Sequence, residues 1–198
     1  MVTKGERTRA EIVDVGAQLA RIEGLNGVSI GQLAKALAMS KSGLFAHFGS
    51  KESLQLAILD HTADEFVDRV VRPALSEPRG EPRLRAAFER WLAWGVAEET
   101  RGGCLFVAVA AELDDRPGPV RERFVETQRD WLDTLAQIVA AGQRDGRFRA
   151  DADAEQAAFE LHGILLATHQ AFRLFRDPAA HARARTAFDR LVADLAAS

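Results

Sequence analysis

The chain has 198 residues, 47% hydrophobic and 28% charged, which excludes disordered and fibrous classes and suffices for one small and one larger core. The net charge of −3 by itself argues against a nucleic-acid binder, so the distribution of charge decides. Residues 1–51 hold seven Lys/Arg against four acids, a balance of +3 that leaves −6 on the remainder: a basic head on an acidic body. Charges at positions 4, 6, 7, 9 and 11 deny the start of the chain the apolar core of a signal peptide, and no apolar run approaches the ~18 residues of a membrane span. A cytoplasmic protein without membrane contact is expected. The lone Cys104 excludes an internal disulfide and a cysteine-pair metal site. Its apolar setting reads as an inert buried thiol, with a redox sensor as the alternative and Arg101 as its sole local source of positive potential.

In chain order, Lys4, Arg7 and Arg9 come first, a short basic arm able to follow a phosphate backbone or enter a minor groove, with a frayed, solvated terminus as the alternative and the reading taken for Lys4. Ile12, Val15, Leu19 and Ile22 then repeat at 3, 4, 3 spacing, which predicts a first helix ended by Gly24, Asn26 and Gly27. Ile30, Leu33, Ala34 and Leu37 make one stripe of a second helix, with Ser29 as N-cap. After Ala38 and Met39, Ser40 caps a third helix. Its Leu44 and Phe48 face inward, and Lys41, Ser42, Gly43, Phe45 and His47 remain outside. The turn is too tight to leave the second and third helices other than crossed, as in a helix-turn-helix. The outer face of the third carries small or basic side chains and no acid, which suits a helix read against major-groove edges. Lys41 and Lys51 each follow a capping serine at the positive end of a helix, where a cation costs about 0.3 kcal/mol or more. A phosphate gathered by the ammonium and the free backbone N–H groups is the expected reason for their presence there, ordinary solvated lysines being the alternative.

The frame Ala38-Met39-Ser40, Lys41-Ser42-Gly43, Leu44-Phe45-Ala46-His47-Phe48 and Ser50-Lys51-Glu52 resembles, with no insertion or deletion, that of the TetR family of transcriptional regulators. The family usually reads Gly-Val-Ser, Lys-Gly-Thr, Leu-Tyr-x-Tyr-Phe and Ser-Lys-Glu, and the resemblance covers about the first fifty residues. Ala38 stands where the family has a turn glycine, so a left-handed backbone there carries strain of about 1 kcal/mol. Phe45 replaces the tyrosine whose hydroxyl reaches phosphate, leaving its ring to pack on a sugar or a thymine methyl. His47 matches the second aromatic position and can still donate to phosphate. The candidate DNA-contacting residues are Arg7, Ser29, Gln32, Ser40, Lys41, Ser42, Gly43, Phe45, His47 and Lys51.

Beyond residue 51 the pattern is helical throughout, punctuated by Pro and Gly. A long helix opening at Ser50 runs through Leu54, Ile58, Phe66 and Val70 toward Pro73, where it should kink or end. Helical patterns follow at 82–99, 104–114 and 118–145. Asp153 with Gln156 forms a capping pair for a helix to about 176, and Asp177-Pro178 supplies a cap and an N1 proline for the last one. The helix over 154–176 is apolar around its circumference, and Gly163, Ala167 and Ala171 make a ridge that admits a close helix neighbour. Phe159, Gly163, Leu166, Ala167 and Ala171, with Phe188, Leu191 and Leu195 from the last helix, are the candidate dimer interface. In the resembled family the last two helices likewise build a four-helix contact, and a thick monomer core is the alternative. The resemblance also implies that body helices enclose a small molecule. Trp91 and Trp94, three apart on one helical face, with Phe106, Trp131 and His162, are the candidate ligand-facing residues, although a core can absorb them all. His162 and His169, two turns apart, make a poor metal pair.

The expected fold is all-α, about nine helices: a three-helix DNA-binding domain at 1–50 followed by a ligand-binding and dimerisation domain at 51–198. The expected function is a homodimeric transcriptional regulator, a repressor of a palindromic double-stranded operator released by a small-molecule effector, with no cofactor or metal. A helical-bundle enzyme lacks a Glu-x-x-His pair, a nucleophile with a base, and a cofactor loop. A protein-binding adaptor leaves the lysine-bearing helix starts unexplained.

Overall fold

The computed structural model describes residues 3–96 and 101–197. Its helices are α1 (Lys4–Gly27), α2 (Ile30–Ala36), α3 (Lys41–Phe48), α4 (Lys51–Phe66), α5 (Arg72–Leu75), α6 (Glu81–Gly95), α7 (Leu105–Leu113), α8 (Pro119–Arg144), α9 (Ala154–Arg173) and α10 (Ala180–Leu195). A π-helical segment, Val67–Val71, joins α4 to α5 without a break, so among the described residues there are nine continuous rods, and the sole β feature is an isolated bridge between Phe148 and Ala196. No described helix is long and apolar enough to cross a membrane. The helix expected over 82–99 ends at Gly95, and residues 97–100 lie outside the described residues.

Two compact units are present, residues 1–65 with 101–127 and residues 66–100 with 128–198, their boundaries falling inside α4 and α8. In the first, α1 buries Ile12, Val13, Gly16, Ala17 and Ala20, whereas Ile22, expected inside, is 54% exposed. The inward face is rotated because contact here is set by closeness and not by bulk. A Cβ on Gly16 would stand 2.7 Å from Ile58 Cδ1 of α4. The expected basic arm is also helical: Thr3 caps α1 in a reciprocal capping box, its N–H donating to Glu6 Oε2 at 2.6 Å and its Oγ1 accepting from Glu6 N. That backbone bond holds the Glu6 carboxyl below its ordinary pKa. Lys4, Arg7 and Arg9 therefore ride on the first turns of α1, with the Arg9 guanidinium 4.9 Å over the Phe48 ring.

Between α2 and α3 the backbone turns at Ala38 with φ +50°. A side chain in this region carries strain that glycine does not, and Ala38 is exposed, so nothing in the core resists its removal. Ala38→Gly is expected to raise the unfolding free energy by up to about 1 kcal/mol, after the offset from glycine's greater unfolded-state entropy. Urea titration followed by circular dichroism measures this; a loss of stability instead would show that the turn is unstrained.

The rod that Pro73 is expected to kink or end does end close by, at Leu75. The hydrogen bonds widen upstream, Arg72 N–H donating to Val67 O, and the helix closes two residues beyond the proline.

In the second unit Phe88 of α6 stacks on Phe188 of α10, with centroids 4.3 Å apart and planes within 8°. Beside them Arg185 donates from both Nε and Nη2 to Glu89 at 2.8 Å, holding that carboxyl below its ordinary range. Leu135, Ile138 and Val139 of α8 and Leu161 and Leu165 of α9 are also buried. Asp153 caps α9 through Glu155 N and Gln156 N, but the Gln156 amide turns outward to Glu160. Asp177 closes a separate turn, accepting from Ala179 N at 2.9 Å, and α10 starts only at Ala180, so Pro178 does not occupy its first position.

Candidate nucleic-acid interface

Local chemistry sets the two short helices. Ser29 and Gln32 form a capping box on α2, and the Gln32 amide also donates to Glu23 Oε2 at 2.7 Å. Both are thus engaged within the head before any DNA arrives. Ser40 caps α3 by accepting from Gly43 N at 3.0 Å, and its hydroxyl lies 3.3 Å from that of Ser42. Gly49, left-handed at φ +72°, ends α3 and donates to Phe45 O.

Leu44, with no exposure, is the anchor of α3, and Phe48 is half-buried under Arg9. Lys41, Ser42 and Phe45 are exposed, Phe45 to 47%, while Gly43 and His47 are half-exposed. The Lys41 side chain lies beside Gly31 on the first turn of α2, where an added Cβ would stand 3.5 Å from its Cε. Arg7 is exposed on α1.

Lys51 is also exposed, but it has a partner that the sequence did not suggest: its Nζ donates to Asn26 O at 2.7 Å. Gln55, one turn on, donates to Leu25 O at 3.0 Å. Two carbonyls at the end of α1 are thereby satisfied by α4. From α7, Glu112 Oε2 accepts from both Asn26 N–H (3.0 Å) and Asn26 Nδ2 (2.9 Å). The α1 kink at Gly24 (φ +75°, ψ 166°) makes room for that carboxylate. Asn26, Gln55 and Glu112 were missed; the helix-breaking run Gly24-Leu25-Asn26-Gly27 was their sequence trace.

The ligand-facing candidates divide. Trp91, Trp94 and Trp131 are buried and His162 half-buried in the second unit, whereas Phe106 is buried in the first against Phe124. Trp91 and Trp94 share a side of α6 but meet different rings: Trp91 meets His169, and Trp94 and Trp131 both meet Phe66 edge-on at 5.8 and 5.0 Å. Phe66 is the aromatic residue that the sequence reading left out of the set. Among the described residues no hydrogen-bond partner meets the buried Trp131 Nε1 or His162 Nδ1, and burial pushes the His162 pKa down. Among the described residues no group of three metal-ligating side chains is gathered.

The dimer candidates divide too. Phe159, Gly163, Leu166 and Ala167 lie on the exposed side of α9, Phe159 at 70%, and Ala171 is half-exposed. An open groove of about 250 Å³ runs between α9 and α10, lined by Ala167, Ala171, Ala184 and Ala187 among others. Phe188, Leu191 and Leu195 do not reach this surface. They are at most 7% exposed, consumed by the core of their own chain through contacts such as Phe188 on Phe88. Leu174 and Phe175, both about two-thirds exposed, extend the apolar surface beyond α9.

Residues 12–58 match the bacterial regulatory proteins of the tetR family, and residues 80–188 match the tetracyclin repressor-like C-terminal domain. The chain is 24% identical over 170 residues to the transcriptional repressor NemR of Escherichia coli K12, covering 85% of each protein. A TetR-family regulator from Cytophaga hutchinsonii shares the fold with a TM-score of 0.89 at 21% identity, over 100% of this chain and 99% of that one. AibR, solved in complex with isovaleryl coenzyme A and operator DNA, shares it with a TM-score of 0.73 at 22% identity, over 94% and 97%. With both halves of the architecture matched, the chain belongs to the TetR family of helix-turn-helix transcriptional regulators, DNA-binding repressors that respond to ligands.

Proposed function

We propose that this protein represses transcription in the cytoplasm by holding a palindromic operator as a homodimer and letting go when a small molecule binds its body. It acts as a regulator without catalysis or cofactor. The working division falls near residue 50, with DNA contact before it and effector binding and dimerisation after it. The observation that carries the reading is α3: one buried anchor, a serine-capped start, and an exposed face of Lys41, Ser42 and Phe45 with no acid in the helix. Lys41 and Lys51 take phosphates, Ser42 and Gly43 approach base edges, and Phe45 packs on sugar or a thymine methyl. Arg7, Ser29, Gln32, Ser40 and His47 border this track.

The dimer forms through the exposed side of α9, with Gly163, Ala167 and Ala171 allowing close approach, and sets two α3 helices ~34 Å apart. The effector is mainly apolar or aromatic and is met by the cluster around Trp94 and Trp131. Trp131 Nε1, unpartnered among the described residues, supports an acceptor on that molecule. AibR, with its coenzyme A thioester and operator, offers a precedent for one chain holding both. Release follows from linkage: an effector that prefers a dimer with its α3 helices misplaced weakens operator binding by the factor that the operator weakens effector binding.

Binding to duplex DNA across a salt series tests the reading. Lys51→Ala is expected to weaken binding on all sequences alike and to make the plot of log affinity against log salt shallower by about 0.9. Ser42→Ala is expected to change base preference and keep the slope. Unaltered affinity of Lys51→Ala at every salt concentration would end the phosphate assignment.

A further inference from the structure

We infer that Glu112, on α7, is a positioning residue for the DNA contact made by Lys51, acting through Asn26. The inference rests on the phosphate role proposed for Lys51. Three observations converge. One Glu112 oxygen accepts both the backbone N–H and the side-chain amide of Asn26, at 3.0 and 2.9 Å, which fixes residue 26 in backbone and side chain together. The carbonyl of the same residue accepts the Lys51 ammonium at 2.7 Å. At Gly24 the backbone adopts a conformation closed to other residues, and a Cβ there would overlap the Glu112 carboxylate, so the kink and the carboxylate are fitted to each other.

The consequence is chemical. An ammonium has three donors, and Asn26 O takes one, leaving two for an anion. A lysine whose ammonium is already held loses less rotamer freedom when a phosphate arrives than one that sweeps free in solvent. Asn26 can hold it only while its carbonyl points at α4, and Glu112 is what keeps it there. Helix α7 also carries Phe106, six residues earlier, so any displacement of α7 passes through Glu112 to the end of α1 and to Lys51.

A double-mutant cycle on the full-length protein tests this, with a mixed-sequence duplex as probe over a salt series. Glu112→Ala is expected to lower affinity roughly three- to tenfold when Lys51 is present and to have no effect in the Lys51→Ala background. Glu112→Gln, which keeps an acceptor oxygen for Asn26, is expected to restore most of the affinity. A general structural role would instead reduce affinity by the same factor in both backgrounds, and that result overturns the inference while leaving the Lys51 reading intact. Tighter binding by Glu112→Ala, the signature of mere charge repulsion from DNA, overturns it as well. If Lys51→Ala alone leaves affinity unchanged, the phosphate reading fails first and the inference falls with it.

Discussion

Gly24→Ala is expected to destabilise the DNA-binding head by about 3–5 kcal/mol, from two separable costs. The first is conformational: with φ +75° and ψ 166° the residue occupies a region essentially restricted to glycine, where a side chain costs of order 1–3 kcal/mol. The second is the lost carboxylate. The new methyl would overlap Glu112, which must swing away and release Asn26 N–H and Nδ2, and hydrogen bonds to a charged group contribute about 1.5–3 kcal/mol. Because a domain is stable by only about 5–15 kcal/mol, the variant sits near the edge of folding. Urea unfolding with a helix signal and a head-specific probe reads the loss; a midpoint shift worth less than about 0.5 kcal/mol would mean that the kink relaxes freely. DNA affinity should fall with it, since Asn26 no longer presents its carbonyl to Lys51.

The helices of the head were legible because their signals are short-range. Ser29 and Ser40 cap within three residues of themselves, and Leu33, Ala34 and Leu44 mark their inward faces by spacing alone. What escaped was set by neighbours distant in sequence. The contact of Glu112 with Asn26 spans 86 positions, and no local pattern announces it. The inward face of α1 was misread because Gly16, Ala17 and Ala20 have little bulk to weigh, although their smallness is what brings Ile58 close. On α10 the stripe of Phe188, Leu191 and Leu195 was seen, but an apolar stripe does not say whose core it joins, and Phe88 claims it. Trp91 and Trp94, about 60° apart on α6, share a side as the spacing indicates, but which ring each meets, His169 or Phe66, is set by residues distant in sequence.

Ala167→Glu is expected to leave a folded chain that no longer dimerises. Ala167 is exposed in the single chain and belongs to the groove between α9 and α10, so a carboxylate there meets water in the monomer and disturbs no core. Association changes this, because a two-fold interface repeats every substitution. Two carboxylates would be desolvated beside the small-residue ridge of Gly163, Ala167 and Ala171, and Arg183, the cation that lines the same groove, is already engaged with Asp177. The cost is about 4 kcal/mol or more, a dimer dissociation constant raised roughly 10³-fold. Sedimentation should then report a particle near 21.7 kDa with an unchanged helical spectrum. Operator affinity should collapse to that of one half-site, since a lone α3 forfeits the second set of phosphate and base contacts. A variant that stayed dimeric would place the subunit contact elsewhere, away from the exposed side of α9, and would leave Phe159 and Leu166 uncovered without a reason.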